Sequence, residues 1–251
     1  MTIGTLTTQH KNGVATITFA HPKHNCFPQA QLTALTKSII AAAKDNDIHA
    51  ILLQSDPSKA FCAGASFDEL LEIQTPEQGK IFFMGFANLI NAMRMCSKPI
   101  VGRIHGKAIG GGVGIVAACD YSVATAAAQV RLSELAIGIG PFVIAPAVER
   151  KIGTAALASL ALQPKQWKSA DWALKHGLFT EVYADFDAAN NAVIAKANQL
   201  AKYAPKAVAE LNKTLWANTD HWEELLPKNA EISGRLLLLP ETQKTLQQLK
   251  A

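Results

Sequence analysis

Cysteine is scarce and scattered in this chain of 251 residues: Cys26, Cys62, Cys96 and Cys119 stand far apart, with no Cys-x-x-Cys pair and no neighbouring His pair. That spacing argues against a disulfide framework and a metal site, and it predicts buried reduced thiols. Charge is also sparse, at 18% of residues, and the net value is only +4. No Lys/Arg block with interleaved aromatics occurs, so a nucleic-acid partner is not expected. A mildly basic balance suits a small anionic ligand instead. Long hydrophobic runs are missing too. The run from Ala136 to Val148 is interrupted by Pro141 and Pro146 and is too short to cross a bilayer. The opening Met-Thr-Ile-Gly-Thr-Leu lacks the basic-then-apolar order of a secretory leader. The expectation is a cytoplasmic protein with no membrane partner. What is present is a hydrophobic share of 49%, which excludes disorder, in a chain long enough to bury roughly three-quarters of its unfolded surface.

No repeat, low-complexity tract or flexible linker divides the chain. Asn12-Gly13 lies between the stretches 3–10 and 14–19 and predicts a hairpin, with Ala15, Ile17 and Phe19 on its buried face. A helix is expected over 31–44, with Leu32, Leu35, Ile39 and Ala43 as its stripe, and a strand covered on both faces over 49–54. Thr75-Pro76 opens a helix running to about Cys96, with Phe82, Phe86, Leu89 and Met93 inward. Short strands are expected at 119–124 and 129–132, then helices at 154–161, 169–176, 188–202, 205–218, 221–233 and 241–250. Asp187 is the expected cap of the third of these, and Pro205 opens the fourth. Leu211, Leu215, Trp216, Trp222 and Leu236 to Leu239 point to packing against the main domain or another subunit.

Chemistry concentrates in three stretches. In the first, Ile100 to Ile104 leads to Gly110-Gly111-Gly112 and then to small apolar residues ending at Asp120. A strand, a glycine turn and a buried helix aim backbone N–H groups at a ligand. A P-loop does not fit, because Val113 follows the last of these glycines. A dinucleotide fold does not fit either, because Asp120 comes too early for the ribose-binding acid. One N–H polarising a ligand oxygen remains, beside the plainer reading of a turn packed tightly for its own sake. In the second stretch, Ala63-Gly64-Ala65 precedes Ser66 and Glu69, a capping box that starts a helix at Phe67. The N–H of Ala65 then sits at a positive helix end. The third is Glu134, a lone carboxylate in apolar surroundings. Burial would raise its pKa and make it a proton carrier, unless Arg131 or Arg150 pairs with it.

Taken in order, these elements resemble the crotonase superfamily, the enoyl-CoA hydratase/isomerase family. The resemblance rests on Val14 to Phe19 with Pro22-Lys23-His24-Asn25, on Ala60 to Ala65, on His105 to Gly112, on Ala118-Cys119-Asp120, on Glu134 with Gly138, and on Ala173 to Leu178. It implies an α/β fold, a crotonase-like spiral of β-β-α units over residues 1–186. Residues 187–251 would form a helical region that covers the site and builds a homotrimer or a dimer of trimers. It also implies an acyl-CoA thioester substrate and no separate cofactor. The N–H groups of Ala65 and Gly111 would hold the thioester oxygen, and Glu134 would move the proton. The CoA part is expected along Lys23, His24, Asn25 and Cys26, then along Ala63, Ala65, Ser66, Phe67 and Asp68. Lys23 would either reach the CoA phosphates or stay solvated.

The pattern departs from the family at one decisive place. Hydratases of this kind commonly carry a second glutamate just after the glycine turn, and here that position is Gly114. Ser66 replaces the usual Asp, a mild change because both residues cap helices. The stretch Ile139 to Pro146 is bulkier than usual, and Phe142 within it is expected in the core rather than on an acyl pocket. A single carboxylate suits a double-bond shift, whereas water addition is usually shared by two. The stretches around Gly110 to Asp120 and Ser133 to Pro141 are nevertheless similar to bacterial methylglutaconyl-CoA hydratase-like members of the family, which also carry glycine there. The resemblance therefore puts enoyl-CoA hydratase first, Δ3-Δ2-enoyl-CoA isomerase second and a non-catalytic acyl-CoA binder third.

Overall fold

The computed structural model describes residues 4–250, with side chains described for 4–249. Strands β1 (Thr5–Lys11) and β2 (Val14–Ala20) pair antiparallel across Asn12-Gly13. Both turn residues have positive φ, 54° and 75°, the backbone that a tight hairpin demands. Ala15, Ile17 and Phe19 are fully buried. Helix α1 (Gln29–Lys44) follows and buries Leu32, Leu35, Ile39 and Ala42. The stripe ends on Ala42 rather than Ala43, which lies one position further round the helix and is only half-buried. Strand β3 (Ala50–Ser55) pairs parallel with β2. Helix α2 (Phe67–Glu72) is short, and α3 (Pro76–Arg94) starts on a complete capping box between Thr75 and Gln78.

From here the chain winds in a spiral. Each turn adds one strand to a large sheet and one to a small sheet. Strands β4 (Ile100–Ile104) and β5 (Ala108–Ile109) lead into helix α4 (Gly111–Ala118). Strands β6 (Tyr121–Thr125) and β7 (Gln129–Arg131) lead into a 3-10 turn over Glu134–Ile137 and then helix α5 (Ala145–Ala161). Strand β8 (Lys168–Ser169), helix α6 (Ala170–Lys175) and strand β9 (Glu181–Tyr183) close the spiral. The large sheet runs β1-β2-β3-β4-β6-β9 and is parallel from β2 onward; the small one runs β5-β7-β8. Helix α5 begins at Ala145, earlier than expected, because Pro146 falls in its first turn, where a proline costs no hydrogen bond. Gly153, at φ 74° and ψ 161°, breaks it, so the predicted 154–161 is its second half.

Four helices finish the chain: α7 (Phe186–Leu200), α8 (Pro205–Leu215), α9 (Trp222–Leu237) and α10 (Pro240–Lys250). Asp185, not Asp187, caps α7 by accepting from Ala188 N at 2.8 Å; Asp187 falls inside the first turn. Helix α7 buries Ala189, Val193 and Ala197 against Val14, Leu52, Val101 and Val123 of the large sheet. Helix α9 lies so close to α3 that a Cβ on Gly79 would sit 2.6 Å from the Cα of Gly234. Trp216 and Trp222 are buried, and Trp216 Nε1 donates to Asp120 Oδ1 at 2.9 Å, whereas Leu211 and Leu215 are exposed. The four cysteines are buried free thiols. Among the described residues no helix is long and apolar enough to cross a membrane.

Candidate active site

Two loops meet at the amino ends of two helices. Cys62 N donates to Lys107 O at 3.1 Å and Ile109 N donates to Cys62 O at 2.9 Å, which laces the stretch before Gly64 to β5. Phe27 N donates to Gly64 O at 2.8 Å, and Ser66 N returns to Phe27 O at 3.0 Å. A Cβ on Gly64 would lie 2.8 Å from Ile109 O and 3.5 Å from Gly111 N, so only glycine lets the loops approach this closely. Gly110, at φ +51°, turns the chain into α4, with its own N–H on Arg131 O at 2.9 Å and its carbonyl accepting from Val113 N at 2.8 Å. None of these bonds uses the N–H of Ala65 or of Gly111. Gly111 opens α4, and Ala65 comes just before Ser66, the N-cap of α2, so both lie at amino ends of helices, where the peptide dipoles favour negative charge.

The expected capping box at α2 is one-sided. Ser66 Oγ accepts from Glu69 N at 3.4 Å, but Ser66 N is already spent on Phe27 O. Glu69 Oε2 accepts from Gln29 N at 2.7 Å instead, tying α2 to the start of α1.

Glu134 opens the 3-10 turn, which closes at Gly138 (φ 86°) and is followed by Ile139 N donating to Glu134 O at 3.1 Å. Its carboxylate lies against the glycine turn: a Cβ on Gly110 would sit 2.9 Å from Glu134 Oε1. The residue as a whole is half-buried, yet Oε2 is shut from solvent and has no hydrogen-bond partner. Burial pushes its pKa up to about 7, outweighing the opposing pull of its own and Ser133's N–H groups and of Arg131. Neither candidate arginine pairs with it. Arg150 donates to Leu215 O at 2.6 Å and stacks 3.7 Å from the Trp216 ring. Arg131 stacks 4.4 Å from the Trp167 ring.

These groups line one cavity of about 550 Å³. Ala63, Gly64, Ala65, Gly110, Gly111 and Glu134 contribute to one part of it, and Phe83, Phe86, Phe142 and Ile144 supply apolar wall. Phe142 is half-buried on that wall rather than in the core, because the turn after Gly140 presents its ring to the cavity. Phe86 backs the glycine turn: a Cβ on Gly111 would sit 2.2 Å from its Cε1. Position 114 leaves no room for a side chain. A Cβ on Gly114 would meet Ile144 Cγ2 at 2.5 Å.

Of the residues expected at the site, Ala63, Ala65, Phe67, Gly111 and Glu134 line the cavity. The cavity lining does not include Lys23, His24, Asn25 and Cys26, which follow β2, or Ser66 and Asp68, the cap and first turn of α2. Lys23 forms an ion pair with Asp68, both more than half exposed. His24 is exposed at φ 52°, and its carbonyl accepts from Ala63 N at 3.1 Å. Asn25 is buried and clamps three segments: Oδ1 accepts from His21 N at 2.8 Å, and Nδ2 donates to Asp56 O at 3.0 Å and Ala60 O at 2.8 Å. Cys26 Sγ lies 3.2 Å from His21 Nδ1, and burial pushes its thiol up to about 11. Sequence reading did not foresee Phe86, Ile144 or Arg131 as cavity residues. Phe86 and Ile144 carry only a core signal, and Arg131 carried a signal only as a neighbour of Glu134.

Known proteins share this fold. The enoyl-CoA hydratase/isomerase family model matches residues 9–247. A short-chain-enoyl-CoA hydratase from Clostridium acetobutylicum is 28% identical over 210 residues, covering 83% of this chain and 79% of the relative. The mitochondrial Delta(3,5)-Delta(2,4)-dienoyl-CoA isomerase of Mus musculus is also 28% identical over 210 residues, with 79% of this chain and 64% of the relative covered. The crystal structure of an enoyl-CoA hydratase from Bacillus halodurans shares the fold at a TM-score of 0.89 and 23% identity, covering 97% of this chain and 99% of that one. With the family model spanning nearly the whole chain and the spiral fold in place, this protein belongs to the enoyl-CoA hydratase/isomerase family.

Proposed function

We propose that the protein adds water to a 2-enoyl-CoA thioester, with the enolate oxygen held by the N–H groups of Ala65 and Gly111 and with Glu134 as both base and acid. The observation that carries this reading is the carboxylate of Glu134 against Gly110, in the cavity that Ala65 and Gly111 also line. Glu134 takes a proton from water as the oxygen attacks C3. The π pair moves into the thioester and forms an enolate, whose negative oxygen meets the two N–H groups. Protonated Glu134 then delivers its proton to C2 and ends as it began. A backbone donor of this type is worth roughly 3–4 kcal/mol in the transition state. A pKa of about 7 lets Glu134 serve in both steps near neutrality. The CoA part follows Lys23, His24, Asn25 and Cys26, then Ala63 to Asp68. Leu211 and Leu215, exposed on α8, are surface for a trimer or dimer of trimers to cover. The likeness to the clostridial hydratase supports the choice of reaction.

A second reading has its own observation. Ile144 fills the space beside Gly114, so one carboxylate serves the cavity. A Δ3-Δ2 isomerase needs no more, since Glu134 would lift a proton from C2 and return it to C4; the likeness to the mouse isomerase supports this. Incubation with a 2-enoyl-CoA and, separately, a 3-enoyl-CoA separates the two readings, with the conjugated-thioester absorbance followed and Glu134→Gln run alongside. Loss of signal from the first, abolished in the variant, is the expected result. Gain of signal from the second means isomerase. No change with either, despite measurable binding of the esters, leaves an acyl-CoA binder and overturns the role of Glu134.

A further inference from the structure

Arginines in this chain are mostly answered by acceptors. Arg103 donates to Asn190 Oδ1 and Ser55 O, Arg94 pairs with Glu223, and Arg150 donates to Leu215 O. Arg131 differs. It lines the cavity, its Nε is buried without a partner, and no acceptor among the described residues takes a hydrogen bond from its guanidinium. Its position is nonetheless fixed. Its carbonyl accepts from Gly110 N at 2.9 Å, and β7 sets it opposite Ile109 of β5. Its guanidinium packs on the Trp167 ring at 4.4 Å, and Lys107 Nζ lies 4.8 Å from the same ring. Stacking on an indole holds the guanidinium plane while leaving its edge donors free for a planar anion. The charge balance points the same way. Of the residues lining the cavity, Arg131 and Lys165 are cationic and only Glu134 is acidic.

We infer that Arg131, held by Trp167, recognises an anionic oxygen of the substrate other than the thioester oxygen: a carboxylate on the acyl chain or a phosphate of the CoA. The inference rests on the acyl-CoA reading above and adds a specificity-determining residue to it. A planar carboxylate would take two of the guanidinium donors at once, and Lys165 at the exposed edge would add a second positive charge.

The test is equilibrium binding, so that turnover is not needed. Wild type and Arg131→Met are titrated calorimetrically with a saturated five-carbon acyl-CoA ending in a carboxylate, with its methyl-ended counterpart, and with both as phosphate-free pantetheine thioesters. With a carboxylate as the anion, Kd of the carboxylate-ended esters rises about 10- to 100-fold in the variant, in CoA and pantetheine forms alike, while the methyl-ended esters stay within about threefold. With a phosphate as the anion, Kd rises for both CoA esters and for neither pantetheine ester. Equal weakening of all four, or weakening of none, overturns the inference. Arg131→Lys keeps the charge without the fork and should fall between wild type and Arg131→Met, which separates recognition from a folding defect. Failure of the wild type to bind any CoA ester would sink the acyl-CoA reading itself, and the inference with it.

Discussion

Replacing Glu134 with Gln should make the enzyme inactive and more stable. The side chain stays the same size, but its charge is gone. In the folded protein the carboxyl titrates near 7 instead of the ordinary 4.5, because burial penalises its ionised form. As pH rises from about 4.5 to about 7, the unfolded chain releases this proton while the folded protein keeps it. Stability is therefore lost across that window and stays lost above it. A gap of about 2.5 pKa units is worth about 3 kcal/mol at pH 8, and under about 1 kcal/mol at pH 5. Gln cannot ionise and escapes the loss. Thermal unfolding at pH 8 should show Glu134→Gln melting higher by roughly 6–12 °C, using about 2–4 °C per kcal/mol for a chain of this size. At pH 5 the two proteins should melt within about 3 °C of each other. At pH 8, where wild-type Glu134 is ionised, turnover of enoyl-CoA should fall by about 100- to 10,000-fold, the usual contribution of a positioned acid–base group, and the gap should narrow toward pH 5 as the wild type itself loses activity. Equal melting temperatures at pH 8, or activity within tenfold of wild type at that pH, would refute the placement of a buried carboxylate at the reacting centre.

Four further outcomes follow from the same geometry. In wild type, kcat/KM should rise with pH through an apparent pKa near 7, because the ionised carboxylate of Glu134 takes the first proton; a flat profile from pH 5 to 8 would contradict this. Gly111→Ala leaves the backbone donor intact but drives a methyl to 2.2 Å from Phe86 Cε1. It should cost about 1–3 kcal/mol in urea unfolding and at least about tenfold in activity, with Phe86→Leu in the same chain restoring the stability. Gly114→Glu should not supply the second acid, since its side chain starts 2.5 Å from Ile144 Cγ2. It should destabilise by about 1–3 kcal/mol unless Ile144→Ala makes room, which paired melting curves will show. Asn25→Ala removes three hydrogen bonds that pin Asp56, Ala60 and His21. It should cost about 2–4 kcal/mol in denaturant unfolding and raise KM more than it lowers kcat, because the loop carrying Ala63 and Ala65 loosens.

Much of the frame was legible because local rules and tertiary needs agreed. Asn12-Gly13 makes the hairpin, Thr75-Pro76 with Gln78 starts α3, and the glycines at 110–112 end β5 and open α4. Glu134 stood out because a lone carboxylate among apolar residues needs an explanation, and the structure supplies one in its buried, unpartnered Oε2. What escaped was set by partners distant in sequence. The Ser66–Glu69 spacing reads as a reciprocal cap, but Gln29 N, 40 residues away, takes the glutamate. Gly114 reads as a missing acid. Only the fold shows that Ile144 occupies the space a side chain there would need. Arg131 reads as a possible salt-bridge partner of Glu134, and only the pairing of β7 with β8 brings Trp167 to hold it apart.

In the proposed reaction Ala65 and Gly111 present their backbone N–H groups to a thioester oxygen. Isotope-edited infrared spectroscopy of a saturated acyl-CoA carrying ¹³C at the thioester carbonyl tests it directly. On binding, the labelled C=O stretch should move to lower frequency, since two donors weaken the double bond, and the move should persist in Glu134→Gln, whose backbone is unchanged. A bound ester whose carbonyl stretch matches that of free ester in water, or shifts upward, would contradict the account.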